Sequence, residues 1–244
     1  AYAYGADAVY AGVPLFSLRA RENEFNFAKL KEARELATQL NKKLYFTINV
    51  IPHNTRIPLF ARDLDTIMSL KPDALIMADP GLISMVKEKY PESVIHLSVQ
   101  ANVVNYQSVK FWKNFGISRI ILSRELSITE IKQIKEEVPD IELEAFVHGS
   151  ICIAYSGRCL LSKYFTNRDG NQGLCNNACR YTYHLYQGPS EDPAHPLFQS
   201  VDPNYQPLQG SFYLERTDEK GLMYPIDEDE NGTYIMNAKD LRAI

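Results

Sequence analysis

Ala74-Leu-Ile-Met-Ala78, the helical run over residues 81–90, and Val94-Ile-His-Leu-Ser-Val-Gln100 read as strand, helix and strand. Two short apolar runs joined by an amphipathic segment of this length make a parallel pair with a right-handed crossover. The unit repeats on both sides. Further strand candidates lie at residues 7–11, 44–50, 119–123 and 142–147. Asn26 can cap a helix whose apolar face holds Leu30, Ala33, Ala37 and Leu40. Helical patterns also cover residues 58–70, 106–115 and 127–138, and Ser127 with Glu130 forms a capping box at the start of the last of these.

Six strands alternating with helices predict an α/β fold with a parallel sheet. A closed barrel and an open doubly wound sheet share that pattern. The barrel is favoured because no glycine-rich phosphate loop follows a strand. Polar residues also recur at many strand ends: Asn49 and His53, Asp79, Gln100 and Asn102, Arg124 and Glu125, and His148. A TIM-type (β/α) barrel gathers its site from several such ends. The chain opens on Ala1 as though a helix ran into a strand. Eight strands would require one before Ala1 and one after Ile244, so the barrel reads as incomplete at both ends. Residues 1–186 are assigned to it, including a cysteine-rich region at 148–180. Residues 187–232, with six of the 13 prolines, read as an irregular acidic insert. Residues 233–244 read as the return to the barrel, with a short strand at 233–237 and a helix from Lys239.

The net charge of −4 argues against a dominant nucleic-acid surface, but it is unevenly spread. Residues 187–232 carry ten acids and two bases, and the remainder is net +4. That body tolerates an RNA partner without demanding one. No run approaches the roughly 20 apolar residues needed to cross a bilayer, and no secretory leader is evident. A cytoplasmic, reduced compartment is expected.

The four cysteines lie within 28 positions with the spacing Cys152-x6-Cys159-x15-Cys175-x3-Cys179. This differs from the paired Cys-x2-Cys of zinc ribbons. Iron–sulfur clusters accept looser spacings and use four thiolates. Gly149, Gly157, Gly170 and Gly173 let the backbone bend around the cysteines, while Arg158 and Arg180 can offset thiolate charge. Scattered core cysteines, a zinc site and two disulfides are the alternatives, and the spacing favours a cluster over each. His148 lies four residues before Cys152 and can carry protons. Cys–His nucleophilic chemistry is its rival role, and a core histidine the plain one. Arg124 suits a carboxylate ligand, and an Arg124–Glu125 ion pair is the structural alternative. Arg19 and Arg21 can also face a carboxylate. By the period-two rule His96, Ser98 and Gln100 share a strand face, either as a polar core layer or as a substrate lining.

The run Glu144-Ala-Phe146-Val-His-Gly149-Ser150-Ile151-Cys152-Ile-Ala-Tyr-Ser-Gly157-Arg-Cys159-Leu-Leu161-Ser162 resembles the signature of the collagenase-like peptidase family. The blocks at 6–12, 73–81, 96–102 and 234–237 extend the resemblance to nearly the whole chain. It is closest to the branch that supports hydroxylation of the tRNA wobble uridine to 5-hydroxyuridine. The resemblance implies a prephenate-dependent, oxygen-independent reaction. It also implies an iron–sulfur cluster, of the 4Fe–4S type, on Cys152, Cys159, Cys175 and Cys179. Sister branches act on ribosomal RNA or on a ubiquinone precursor, and the family name records a peptidase activity. The expected partners are tRNA, a small-molecule co-substrate and iron–sulfur assembly proteins. By strand-end position, His148 and Glu125 are candidates for proton handling and Arg124 for anchoring a carboxylate. Asn49, Gln100 and Asn102 are candidates for orienting the substrate.

Overall fold

The computed structural model describes residues 1–18, 25–149, 151–188, 199–200, 211–229 and 232–235. Arg19, Arg21, Ser150 and the helix expected from Lys239 lie outside the described residues. The chain divides into two units, Ala1–Asn176 and Asn177–Ile244.

In the first unit, six parallel strands run β1 (Ala8–Gly12), β2 (Lys43–Ile48), β3 (Ala74–Met77), β4 (Ile95–Leu97), β5 (Arg119–Ile121) and β6 (Glu142–Glu144). Their order in the sheet is the order in the chain. A doubly wound sheet reverses direction at a switch point, and this sheet has none. With right-handed crossovers, sequential order places every connecting helix on one side. Those helices are α1 (Phe27–Gln39), α2 (Ile57–Ser69), α3 (Pro80–Lys89), α4 (Tyr106–Asn114) and α5 (Ile128–Glu137). The winding is that of a half-barrel.

Helix starts follow the expected caps. Asn26 accepts from the Lys29 N–H at 2.9 Å, and Ser127 and Glu130 close the capping box. Asp79 accepts from Leu82 N–H ahead of Pro80, whose missing donor is harmless at the first helical position. Alternation along the strands sorts the side chains. Leu44, Phe46, Ile48, Leu75, Met77, Ile95, Leu97 and Ile120 pack with Leu30, Phe60, Leu64, Ile83, Val109 and Ile134 from the helices. At the base of the sheet, Asp73 ties three neighbours together. It accepts from Arg34 at 2.6 Å, from Lys43 at 3.1 Å and from the Leu44 N–H at 2.9 Å.

The other sheet face mixes polar side chains with the buried Ile76. Thr47, Ile76, His96, Arg119 and Glu142 align across β2 to β6 in one row. The His96 ring meets Tyr45 edge-on at 4.7 Å. Arg119 sits 5.8 Å over the Tyr45 ring and pairs with Glu142 and Glu144. Thr47 Oγ1 and His96 Nδ1 are buried without a hydrogen-bond partner in the protein.

Two strands are shorter than expected. β4 ends at Leu97, because Ser98 turns the chain into a 3-10 turn at Val99–Ala101, accepting from the Gln100 N–H. β6 ends at Glu144, so Phe146, Val147 and His148 belong to the loop beyond it. The second unit departs further. Where an irregular insert was expected, the described residues form a five-stranded antiparallel sheet, β11-β10-β9-β7-β8. Its strands are β7 (Tyr183–Gly188), β8 (Gln199–Ser200), β9 (Ser211–Arg216), β10 (Glu219–Asp229) and β11 (Gly232–Ile235). Tyr183, Leu185, Tyr186, Phe212, Tyr213 and Leu214 supply the aromatic and branched residues that suit a sheet. The strand expected near 233 pairs with β10 here and does not return to the parallel sheet.

His96 gives the fold a pH signature. Burial first, and then the nearby Arg119 charge, push its imidazole down from 6.5 to about 4, against a smaller opposing effect of Glu142. The unfolded chain therefore takes up this proton near 6.5 while the folded chain resists it to about 4. Stability from this residue is complete above pH 6.5 and declines as pH falls through that window, by up to about 3 kcal/mol. Urea unfolding at pH 7 and pH 5 should show a smaller difference for His96→Gln than for the wild type.

Candidate functional site

The site lies where the parallel strands end. The chain beyond β6 turns at Gly149, carries Cys152 and Cys159, and forms α6 (Leu161–Thr166). A 3-10 turn at Gly170–Gln172 then leads to Cys175. This loop is fastened onto the strand ends at several points. Arg124, after β5, donates through one guanidinium nitrogen to the Ser156 hydroxyl at 2.8 Å and to the Ala154 carbonyl at 3.3 Å. Gln100, after β4, donates to the Asn171 side-chain oxygen at 3.1 Å. The Ile51 N–H, after β2, donates to the Asn171 carbonyl at 3.2 Å. Gln172 bonds the Ile51 carbonyl through its side-chain nitrogen. Arg56 donates to the Leu15 carbonyl at 2.8 Å and to the Gln172 carbonyl at 3.4 Å.

Two glycines permit this close fit. Gly157 has φ +77°, and a Cβ there would sit 2.5 Å from the Gln100 carbonyl oxygen. Gly173 has φ +82°, and a Cβ there would sit 2.8 Å from the Ser17 carbonyl oxygen. Any other residue would meet both a strained backbone and a carbonyl that cannot withdraw.

The expected site residues separate into two groups. Gln100 and Arg124 reach the cysteine loop. Among the described residues Arg124 and Glu125, for which an ion pair was the structural alternative, bond to different partners. Glu125 instead accepts a hydrogen bond from Ser123, whose hydroxyl also lies 2.8 Å from the Asn102 side-chain oxygen. Asn102 takes a left-handed backbone that favours asparagine. Asn49 accepts from the Leu18 N–H at 3.0 Å and donates to Ser98 at 3.4 Å. His148 is exposed. The buried Arg124 Nε has no hydrogen-bond partner among the described residues.

All four cysteines carry thiols rather than disulfides. Cys159 is half-buried, and Asn171 donates to its carbonyl at 3.2 Å. Cys175 has the Ser162 hydroxyl 3.6 Å from its sulfur. Cys179 belongs to the second unit, in the 3-10 turn Ala178–Arg180. Four thiols are the donor set an iron–sulfur cluster takes, and the segments of Cys152, Cys159 and Cys175 are each fastened by the bonds above. Among the described residues, no three His, Cys, Asp or Glu side chains converge as a metal-ligand group. The donor chemistry therefore fits the cluster. Sequence reading overlooked Asn171, Gln172, Ser156 and Ser162. Their only local signal is a position between the glycines and cysteines.

The fold and this rim define a (β/α) scaffold that carries a cysteine-bearing loop at its strand ends. The model of Peptidase family U32 matches residues 1–244, and the chain belongs to that family. It is 51% identical over 254 residues to tRNA hydroxylation protein P of Escherichia coli (strain K12). That alignment covers all of this chain and 56% of the relative, so the chain spans little more than half the length of that protein. It is 36% identical over 185 residues to the 23S rRNA 5-hydroxycytidine C2501 synthase of the same organism, covering 75% of this chain and 27% of the relative. The solved structure of the U32 peptidase Mk0906 matches with a TM-score of 0.55 at 18% identity, covering 81% of this chain and 78% of that one. This likeness shows the fold. Among the described residues no helix is long and apolar enough to cross a membrane.

The close approach of Gly157 to Gln100 yields a direct test. Gly157→Ala should dislodge the loop and lower stability by about 2 kcal/mol. Limited proteolysis within residues 151–176 should quicken. Gly170→Ala, where the backbone is not left-handed and a Cβ would stand 3.6 Å from the Cys175 Cβ in ordinary contact, should leave the rate of cleavage in that loop much closer to the wild type.

Proposed function

We propose that the protein takes part in hydroxylating the wobble uridine of tRNA to 5-hydroxyuridine. Prephenate is the small-molecule co-substrate, and a 4Fe–4S cluster is held by Cys152, Cys159, Cys175 and Cys179. One observation carries this reading: the cysteine loop is fastened across the carboxyl ends of the parallel strands. That is where (β/α) scaffolds gather their chemistry. The relative named for tRNA hydroxylation supports tRNA as the substrate, because its match runs the length of this chain. The 5-hydroxycytidine synthase supports a hydroxylated pyrimidine. We take the six strands as part of an eight-stranded barrel. The cytoplasm and iron–sulfur assembly proteins complete the reading.

When bound, the cluster supplies electron-transfer or Lewis-acid chemistry. The chain's own residues do the rest. Arg124 anchors a carboxylate, with one guanidinium nitrogen holding the loop. Glu125, held by Ser123, and the exposed His148 handle protons. Asn49, Gln100 and Asn102 orient the substrate from two strand ends, although Gln100 has one amide donor already committed to Asn171.

Anaerobic reconstitution of the full-length protein with iron and sulfide should load about four irons. Cys152→Ala or Cys159→Ala should abolish the absorption of the cluster. Deleting the gene should remove wobble 5-hydroxyuridine from tRNA, read by mass spectrometry where no overlapping pathway operates. Cleavage of gelatin peptides by metal-stripped protein, lost in Cys152→Ala and His148→Ala, would favour a peptidase instead.

A further inference from the structure

We infer that Asn171 is a positioning residue that holds the Cys159 segment on the strand ends, bridging the Cys159 carbonyl and the Gln100 amide. Each polar group of Asn171 has a partner. Its N–H donates to Asp169 at 2.9 Å, and its carbonyl accepts from the Ile51 N–H at 3.2 Å. Its side-chain oxygen accepts from Gln100 Nε2 at 3.1 Å. Its side-chain nitrogen donates to the Cys159 carbonyl at 3.2 Å.

The two side-chain bonds constrain each other. A backbone carbonyl can only accept, and the NH2 group of Gln100 can only donate. The Asn171 amide therefore has one way to face. Turning it over would set donor against donor at Gln100 and acceptor against acceptor at Cys159. A side chain at position 100 that can only accept would therefore compete with the Cys159 carbonyl for the Asn171 NH2 group. Gly157 strengthens the link, since its backbone packs against the Gln100 carbonyl from another part of the same loop. Gln100 itself is 8% exposed, so water competes little for its bond to Asn171.

This inference deepens the proposed function, because the loop it concerns carries three of the proposed cluster ligands. Its test uses full-length protein stripped of metal and kept reduced, so the outcome does not depend on whether a cluster forms. Iodoacetamide alkylation is followed by mass spectrometry at Cys159, with Cys152, which Asn171 does not touch, as the internal reference. Asn171→Asp keeps the acceptor for Gln100 and loses the donor to Cys159. Loss of one such bond, about 1 kcal/mol, should raise the Cys159 rate about fivefold and leave Cys152 within about twofold. Gln100→Glu turns the amide over and should produce the same rise without touching Cys159. An unchanged Cys159 rate in either single variant would overturn the inference. So would a rise shared by all the thiols and tracking a lower melting temperature, which would mark ordinary loosening of the fold.

Discussion

Alternation along short parallel strands is the constraint on which the molecule rests. Each strand of the first unit turns one set of side chains toward the helices, and that set is apolar from β2 through β5. Burying it fixes the register of the sheet, since a slip of one residue would drive His96 and Arg119 into the helix layer. The same sorting leaves the polar residues on the opposite face and at the strand ends. Hydrophobic burial and the placement of functional groups are therefore one event, decided by whether a position is odd or even along the strand.

The strand ends do not form an open bowl of substrate ligands. Much of their hydrogen-bonding capacity is taken up by the loop that carries the cysteines. Arg124 holds residues 154 and 156, Gln100 holds Asn171, and the backbone beside Ile51 holds Asn171 and Gln172. Such a loop is placed by directional bonds to a rigid sheet rather than by its own packing. Small changes at the rim are thereby passed to the cysteines, which places chemistry and scaffold in mechanical contact.

The strands and helices of the first unit were legible because periods of 2 and 3.6 residues differ strongly in this chain. Asn26 and Ser127 marked helix starts through a local mechanism, side-chain oxygen to backbone N–H, that needs no tertiary information. Gln100 and Arg124 were legible as strand-end residues, but their partners lie 71 and 30 residues away. No periodicity reveals such pairings. The antiparallel sheet was obscured for another reason. Proline and acid content pointed to irregular chain, yet Glu215 serves the sheet by accepting from Tyr186 and from the Gly221 N–H. Acids on a solvated sheet face are compatible with strand structure, and the aromatic alternation in 183–186 and 212–214 was the better signal.

The polar inner wall of the parallel sheet also affects how the protein responds to heat. A barrel filled with valine, isoleucine and leucine exposes a large oily area when it melts, and that area sets the heat capacity of unfolding. Here Tyr45, Thr47, His96, Arg119 and Glu142 occupy part of that wall. Each polar side chain on that wall takes a place that valine, isoleucine or leucine would fill, and so lowers the apolar area, and with it the heat capacity, that melting exposes.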